Sequence, residues 1–148
     1  MEIRSAGPGD VEHLVEFNRA MALETEDKAL DVEVLRRGVT RFVADASLGR
    51  CLVAVQGDEV LGTLSVTSEW SDWRNGLFWW IQSVYVRPEA RGAGVFTMLY
   101  AHIERLAREA PDVIGLRLYV EQDNERAQRT YARLGMHETD YRIYEVEF

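Results

Sequence analysis

The chain has 148 residues, 47% of them hydrophobic and 28% charged, which suits one domain over residues 1–148 with a sizeable core. Its 17 basic and 25 acidic residues give a net charge of -8, which argues against a general nucleic-acid or membrane-surface binder. Its single cysteine, Cys51, cannot form an internal disulfide, and neither a bilayer-length apolar run nor a secretion signal is seen, so we expect a cytoplasmic protein.

The first quarter of the chain is predicted to form a short strand at residues 2–5 and then two helices. Asp10 can cap the first helix, and Asp31 can cap the second. The first helix ends between residues 23 and 28, so the acidic residues 24–28 form a linker. Taken alone, such a linker is most simply a solvated loop.

A hairpin follows, with strands at residues 51–56 and 59–67 joined by the turn signal Gly57-Asp58. Beyond it, four tryptophans fall within eleven residues. We expect at least one of Trp79 and Trp80 to pack in the core or a subunit contact. Trp70 and Trp73 stand beside acidic residues and can form a wall for a cationic or aromatic ligand.

The stretch from residue 77 to residue 96 is predicted to form a strand, a turn and the start of a helix. Gly92 and Gly94 place bare backbone where the helix begins, and a helix start offers free N–H groups and a positive dipole end. Arg87 and Arg91 stand beside them. This pattern favours a bound phosphate, in particular a diphosphate.

Two familiar phosphate loops do not fit this stretch. A P-loop requires Lys followed by Ser or Thr after its last glycine, and none is present. A dinucleotide fingerprint requires a third glycine, where this chain has Thr97. A helix that starts with glycines only for packing remains the plain alternative.

The last third is predicted to form a strand at residues 113–120, a helix capped by Asp123 or Asn124, and a hairpin over residues 136–148. No spacing of His, Cys and acidic residues indicates a metal site, so we predict no metal.

Two motifs together resemble the GNAT family of N-acetyltransferases. Arg91-Gly92-Ala93-Gly94-Val95-Phe96 is similar to its acyl-CoA-binding motif Gln/Arg-x-x-Gly-x-Gly/Ala, except that Phe96 replaces the usual small residue. The run from Asn124 through Ala127 and Tyr131 to Gly135-Met136 is similar to its second motif, with Met136 for Phe. The resemblance implies an α/β (α+β) fold, with a mixed, mostly antiparallel sheet of about seven strands, four flanking helices and splayed central strands.

The resemblance also implies a site for acetyl-CoA. A bulge in the strand at residues 82–86 would splay it from its neighbour and expose the backbone groups of Val84 and Val86 to the pantetheine and thioester. Tyr131 would be the general acid for the departing thiolate, and Asn124 would hydrogen-bond near the pantetheine arm. The implied cofactor-binding residues are Val84, Tyr85, Val86, Arg87, Arg91, Gly92, Ala93, Gly94, Val95, Phe96, Asn124, Ala127 and Tyr131.

The sequence indicates the acceptor site and the general base less clearly than the cofactor site. Glu69, at the end of a predicted strand, is a candidate base, and in the GNAT fold the segment between the first two helices often lines the acceptor pocket. Glu24, Glu26, Trp70 and Trp73 are therefore candidate acceptor residues. The prediction is an acetyl-CoA-dependent N-acetyltransferase acting directly on a small, cationic primary amine, with a homodimer compatible with the aromatic density. The alternatives are a non-catalytic CoA-binding sensor or scaffold, and a nucleotide-binding domain.

Overall fold

The computed structural model describes residues 1–148, which divide into two compact units, Met1–Leu118 and Tyr119–Phe148. The first unit holds five strands and three helices, and the second holds one helix. The elements are β1 (Glu2–Ser5), α1 (Val11–Glu26), α2 (Val32–Ala44), β2 (Arg50–Gln56), β3 (Glu59–Ser71), β4 (Gly76–Val86), α3 (Val95–Glu109), β5 (Val113–Arg117) and α4 (Glu125–Arg133). None of the helices combines the length and the apolar character needed to cross a bilayer.

The sheet has five strands in the order β1-β2-β3-β4-β5. The first three pairings are antiparallel, and only β4 and β5 run parallel, because α3 carries the chain across between them. The predicted mixed, mostly antiparallel sheet and the four helices are therefore confirmed. The turn signal Gly57-Asp58 joins β2 to β3, as predicted. A second turn signal of the sequence, Asn75-Gly76, lies between the antiparallel strands β3 and β4.

The predicted number of seven strands is wrong. β5 stops at Arg117 instead of residue 120, and residues 136–148, predicted as a hairpin, contain no strand. Alternating apolar residues indicate a face that can be buried, but a strand also needs a partner whose backbone groups pair with it. The large apolar side chains of this segment are exposed: Tyr141, Ile143, Tyr144, Val146 and Phe148.

The first helix ends within the predicted range, but the predicted linker begins too early. α1 continues to Glu26 and ends at Asp27, whose φ of 50° is the left-handed conformation common after a helix. Glu24 and Glu26 therefore lie on its last turn, and the linker before α2 is shorter. Asp31 caps α2 by accepting hydrogen bonds from two backbone amides, as predicted.

Asp10 precedes α1 but makes no capping hydrogen bond, contrary to the prediction. Its carboxylate is 5% exposed and accepts two hydrogen bonds from Arg4, at 2.7 and 2.9 Å, and one from the Gly7 amide. The Arg4 hydrogen bond lowers the pKa of Asp10, so the carboxylate stays charged. This ion pair, between an exposed arginine and a buried carboxylate, joins β1 to the start of α1.

Helices α1 and α3 each bury one face against the sheet, whereas α2 has no buried residue. Part of the core unites Leu14 and Phe17 of α1 with Val53, Val60 and Tyr85 of β2, β3 and β4. In α3 the buried residues recur at helical spacing: Val95, Leu99, Tyr100, Ile103 and Ala107. These contacts fix α3, and with it the turn that precedes it, against the sheet.

Candidate functional site

One side of β4 has no strand partner where the site was predicted. β4 pairs with β5 only from Leu77 to Trp80, up to Arg117, the last residue of β5, and β4 then continues to Val86 beside β3 alone. The register between β3 and β4 shifts by one residue, because Ser65 pairs with Ser83 while Val66 pairs with Ile81. Gln82 is thus the extra residue of a β-bulge, a feature that bends a strand. The bulge lies within the predicted stretch, whereas the splaying of β4 from β5 stays a prediction.

The backbone direction along the end of β4 follows from the ladder. The amide of Arg87 donates to Leu61 O at 2.9 Å, and in an antiparallel pair the hydrogen-bonding residues alternate. Residues 83 and 85 therefore bond to β3, while Val84 and Val86 turn their N–H and C=O groups away from it. Val86 O accordingly accepts a hydrogen bond from Arg91 Nε at 3.0 Å.

The turn between β4 and α3 exposes bare backbone. A short 3-10 turn, Pro88–Ala90, is followed by Gly92 and Gly94, with φ of 83° and 81°. A Cβ at either glycine would have no heavy atom within 4 Å, so the space beside the backbone is open. The conformation favours glycine, and the open space allows a ligand close to the start of α3.

Two amides of this loop are already used. The amide of Arg91 donates to Pro88 O at 3.2 Å and that of Ala93 to Ala90 O at 3.3 Å. The loop donors left for an anion are those of the two glycines and of the first turn of α3, which has no partners within the helix. Within the predicted diphosphate site at residues 91–96, only these remaining amides are available to an anion.

Arg91 is joined to α1 by a carboxylate. Its Nη2 lies 2.8 Å from Glu24 Oε2, and the hydroxyl of Tyr85 donates to Glu24 Oε1 at 3.1 Å. The guanidinium also lies over the Tyr85 ring, with 5.5 Å to the ring centroid. Burial, followed by the bond to Glu24, raises the pKa of Tyr85, so its hydroxyl stays a proton donor. We call these three residues the Glu24 triad.

No motif in the sequence indicated this triad. Glu24 and Arg91 are 67 positions apart, and no local pattern relates residues at that distance. The only signal was their chemistry, an acidic residue at a helix end and a basic residue in a loop. By contrast, Glu26 is exposed at the end of α1 and takes no part in the triad.

We call residues 87–96 the phosphate loop. Its residues Arg87 and Phe96 lie beside aromatic rings. Arg87 lies over Phe17, with 5.5 Å to the ring centroid. Phe96, the departure from the motif, packs beside Tyr100 with 6.0 Å between centroids and is half-buried. Its side chain is thus occupied along α3, and its backbone position in the first turn is unaffected.

The structure gives Glu69 an ion-pair partner. Its Oε1 lies 2.6 Å from Nη1 of Arg117, and Arg117 lies over the Phe78 ring at 3.7 Å. One oxygen of the candidate base is thus held in an ion pair, and its role as the base stays a prediction. Trp79 is buried, as expected of at least one tryptophan of its pair, whereas Trp70 and Trp73 are 58% and 84% exposed.

The second unit contains the second motif on α4. Asn124 is its N-cap, with Oδ1 accepting from the Ala127 amide at 3.1 Å, as predicted. Tyr131 is half-buried on the same helix, and burial raises its pKa. Its phenol is therefore protonated at neutral pH. No cluster of His, Cys, Asp and Glu suited to a metal is found in the structure.

Comparison with known proteins identifies the family of this fold. A family model of acetyltransferases (GNAT) matches residues 14–136. A possible acetyltransferase from Clostridium difficile 630 is 44% identical, with a TM-score of 0.93 over 99% of this chain and 97% of that one. No protein of curated function matches.

Two more distant structures share the fold. The ribosomal-protein-alanine N-acetyltransferase of Brucella melitensis biovar Abortus 2308 is 15% identical, with a TM-score of 0.76 over 99% of this chain and 98% of that one. AAC(6')-Iy, in complex with the bisubstrate analogue CoA-S-monomethyl-acetylneamine, is 15% identical with a TM-score of 0.79, over 99% and 97%.

Proposed function

This chain belongs to the GNAT acetyltransferase family, and from that premise we propose that it transfers an acetyl group from acetyl-CoA directly to a primary amine of a small, cationic acceptor. The family makes the chain an acetyltransferase. The acetyl donor, the direct sequential transfer and the nature of the acceptor are the parts proposed.

The observation that carries the proposal is the open glycine backbone that follows the end of β4. Gly92 and Gly94 stand at positive φ with open space beside them, directly before the first turn of α3. Val84 and Val86 turn backbone groups away from β3 just upstream. A diphosphate and an amide-bearing arm need this sequence of donors, and a helix that merely packed on the sheet would not.

The roles proposed for the chain's residues follow from their chemistry. Acetyl-CoA, when bound, supplies an activated thioester. Backbone groups of Val84 and Val86 would orient it and polarise its carbonyl, as preorganised N–H donors do. The protonated phenol of Tyr131 would give its proton to the departing thiolate. Asn124, as the cap of α4, would hold the start of that helix, and its hydrogen bond to the pantetheine arm stays a prediction.

A thermal melt with acetyl-CoA, CoA and NAD tests the proposal. A ligand that binds only the native state raises the midpoint, so both CoA ligands should raise it and NAD should not. Release of free thiol across a panel of amines then tests transfer. Absence of any shift with saturating acetyl-CoA would refute the proposed cofactor, and the glycines would be a packing feature.

Gly94→Ala is expected to weaken CoA binding about tenfold. An alanine at φ 81° costs roughly 1–2 kcal/mol in backbone strain, and its methyl group would fill the open space beside the loop. Isothermal titration calorimetry measures the change in Kd. Gly9→Ala is the matched control, since Gly9 has ordinary φ and an added Cβ there also meets no atom. Equal Kd values for all three proteins would contradict the proposed diphosphate site.

For the acceptor, we propose that carboxylates at the end of α1 attract its ammonium group, with Trp70 and Trp73 as further candidates. Glu24→Gln and Glu26→Gln are each expected to raise the acceptor KM severalfold for the best amine of the panel, with little change in kcat. Steady-state kinetics at saturating acetyl-CoA measures both constants. Unchanged KM in both variants would remove α1 from the acceptor site.

A CoA-binding sensor or scaffold is the second candidate, favoured because the candidate base Glu69 is held in an ion pair with Arg117 and no other evident base is present. Turnover of acetyl-CoA with any amine excludes it.

One domain over residues 1–148, a cytoplasmic location, no metal, and no nucleic-acid or membrane partner all stay predictions. A homodimer also stays a proposal, supported by the exposed apolar side chains of residues 141–148, and light scattering tests it.

A further inference from the structure

In the Glu24 triad, the negative carboxylate of Glu24 pairs with Arg91, the arginine beside the glycines of the phosphate loop. Arg91 Nη2 bonds to Glu24 at 2.8 Å, while Arg91 Nε bonds to Val86 O at 3.0 Å. The same guanidinium thus uses its donors on two groups of the protein. Val86 O is also one of the backbone groups that the proposed function assigns to the cofactor.

Both oxygens of the Glu24 carboxylate are engaged as well. Oε2 accepts from Arg91 and Oε1 from the hydroxyl of Tyr85. Each oxygen could accept a further hydrogen bond, but the positive guanidinium of Arg91 repels an acceptor's ammonium group. The acceptor role of Glu24 is therefore favoured when the bond to Arg91 is given up.

The bond to Arg91 is the exchangeable one. The side chains of Glu24 and Arg91 are 42% and 40% exposed, and ion pairs this open to water contribute little. A diphosphate carries more negative charge than a single carboxylate and can accept two parallel N–H bonds from a guanidinium. Beside the open glycines, it would compete well for Arg91.

We propose that Glu24 is a positioning residue that occupies Arg91 until the cofactor's diphosphate displaces it. The inference rests on the proposed function. Displacement leaves the Glu24 carboxylate bonded to Tyr85 and without the opposing charge of Arg91. The carboxylate is thus a better partner for the acceptor's ammonium group once the cofactor has bound.

A double-mutant cycle on CoA affinity tests this, using calorimetry without turnover. Glu24→Gln removes the competing charge and is expected to lower the Kd for CoA roughly two- to fivefold, the range that exposed ion pairs contribute. Arg91→Gln should weaken binding. In the Arg91→Gln background, Glu24→Gln should change the Kd less than about 1.5-fold, because its effect runs through Arg91.

Glu16→Gln is the matched control. Glu16 is exposed on the same helix, eight residues or about 12 Å before Glu24, and its substitution makes the same change in net charge. It should leave the Kd unchanged.

The failures are distinguishable. If CoA binds and Glu24→Gln has an equal or higher Kd, or if the gain persists without Arg91, the inference is overturned while the proposed function stands. If wild type binds no CoA, both are overturned.

Discussion

Replacing Tyr131 by phenylalanine is expected to lower kcat by roughly 10²- to 10³-fold, while the Kd for acetyl-CoA stays within about twofold. A positioned general acid contributes a factor of this size, because the thiolate otherwise leaves without a proton. Phenylalanine keeps the ring and removes only the hydroxyl. Thiol-release kinetics and calorimetry measure the two constants, and Tyr141→Phe, an exposed tyrosine outside the proposed site, is the control.

The pH dependence gives a second readout on Tyr131. Burial raises its pKa above the ordinary 10.0, so the proton-donating form prevails through neutral pH and is lost only as pH rises through the raised value. The alkaline decline in kcat assigned to this group should therefore begin above pH 10 and should disappear in the phenylalanine variant. A kcat that the substitution leaves unchanged would exclude Tyr131 as the acid.

Leu99→Ala is expected to destabilise the fold by about 2–5 kcal/mol, because Leu99 has no exposed surface and its truncation leaves a cavity between α3 and the sheet. For a domain of this length, the melting midpoint should fall by roughly 5–15 °C. Circular dichroism during a thermal ramp measures it. Leu99 lies one turn after the start of α3, so the lost packing loosens the helix that follows the phosphate loop.

Met98→Ala is the matched control for Leu99. Met98 is the residue before Leu99 and is 39% exposed. The helical spacing of apolar residues in the sequence also includes it. Its substitution should move the midpoint by a few degrees at most. Equal losses in the two variants would show that the buried face of α3 is wrongly identified.

Local chemistry explains which elements were predictable. Asp31 and Asn124 cap helices because a short polar side chain reaches the free amides two or three residues ahead. Gly57-Asp58 turns a hairpin for an equally local reason. Conversely, the linker after α1 was predicted to begin too early, because acidic residues are tolerated at a helix end as well as in a loop.

The strand count failed for a reason that is not local. Residues 136–148 have the alternation of a strand, yet a strand exists only where a partner offers its backbone, and the sequence does not show the partner. The same holds for Glu69, whose ion pair with Arg117 joins two strands that are far apart in the sequence.

By itself the sequence determined the family, through two motifs, and with it the glycine turn before α3, the four helices and the mostly antiparallel sheet. The motifs and the glycine turn depend on residues close together in the sequence, and the helices and the sheet followed from the family. Only the tertiary structure decided that Glu24 holds Arg91 and Tyr85, which amides of the loop remain for an anion, and which tryptophans face water. Those features join residues up to 67 positions apart, and the physical cause is the packing of α1 against the sheet, which no local pattern encodes.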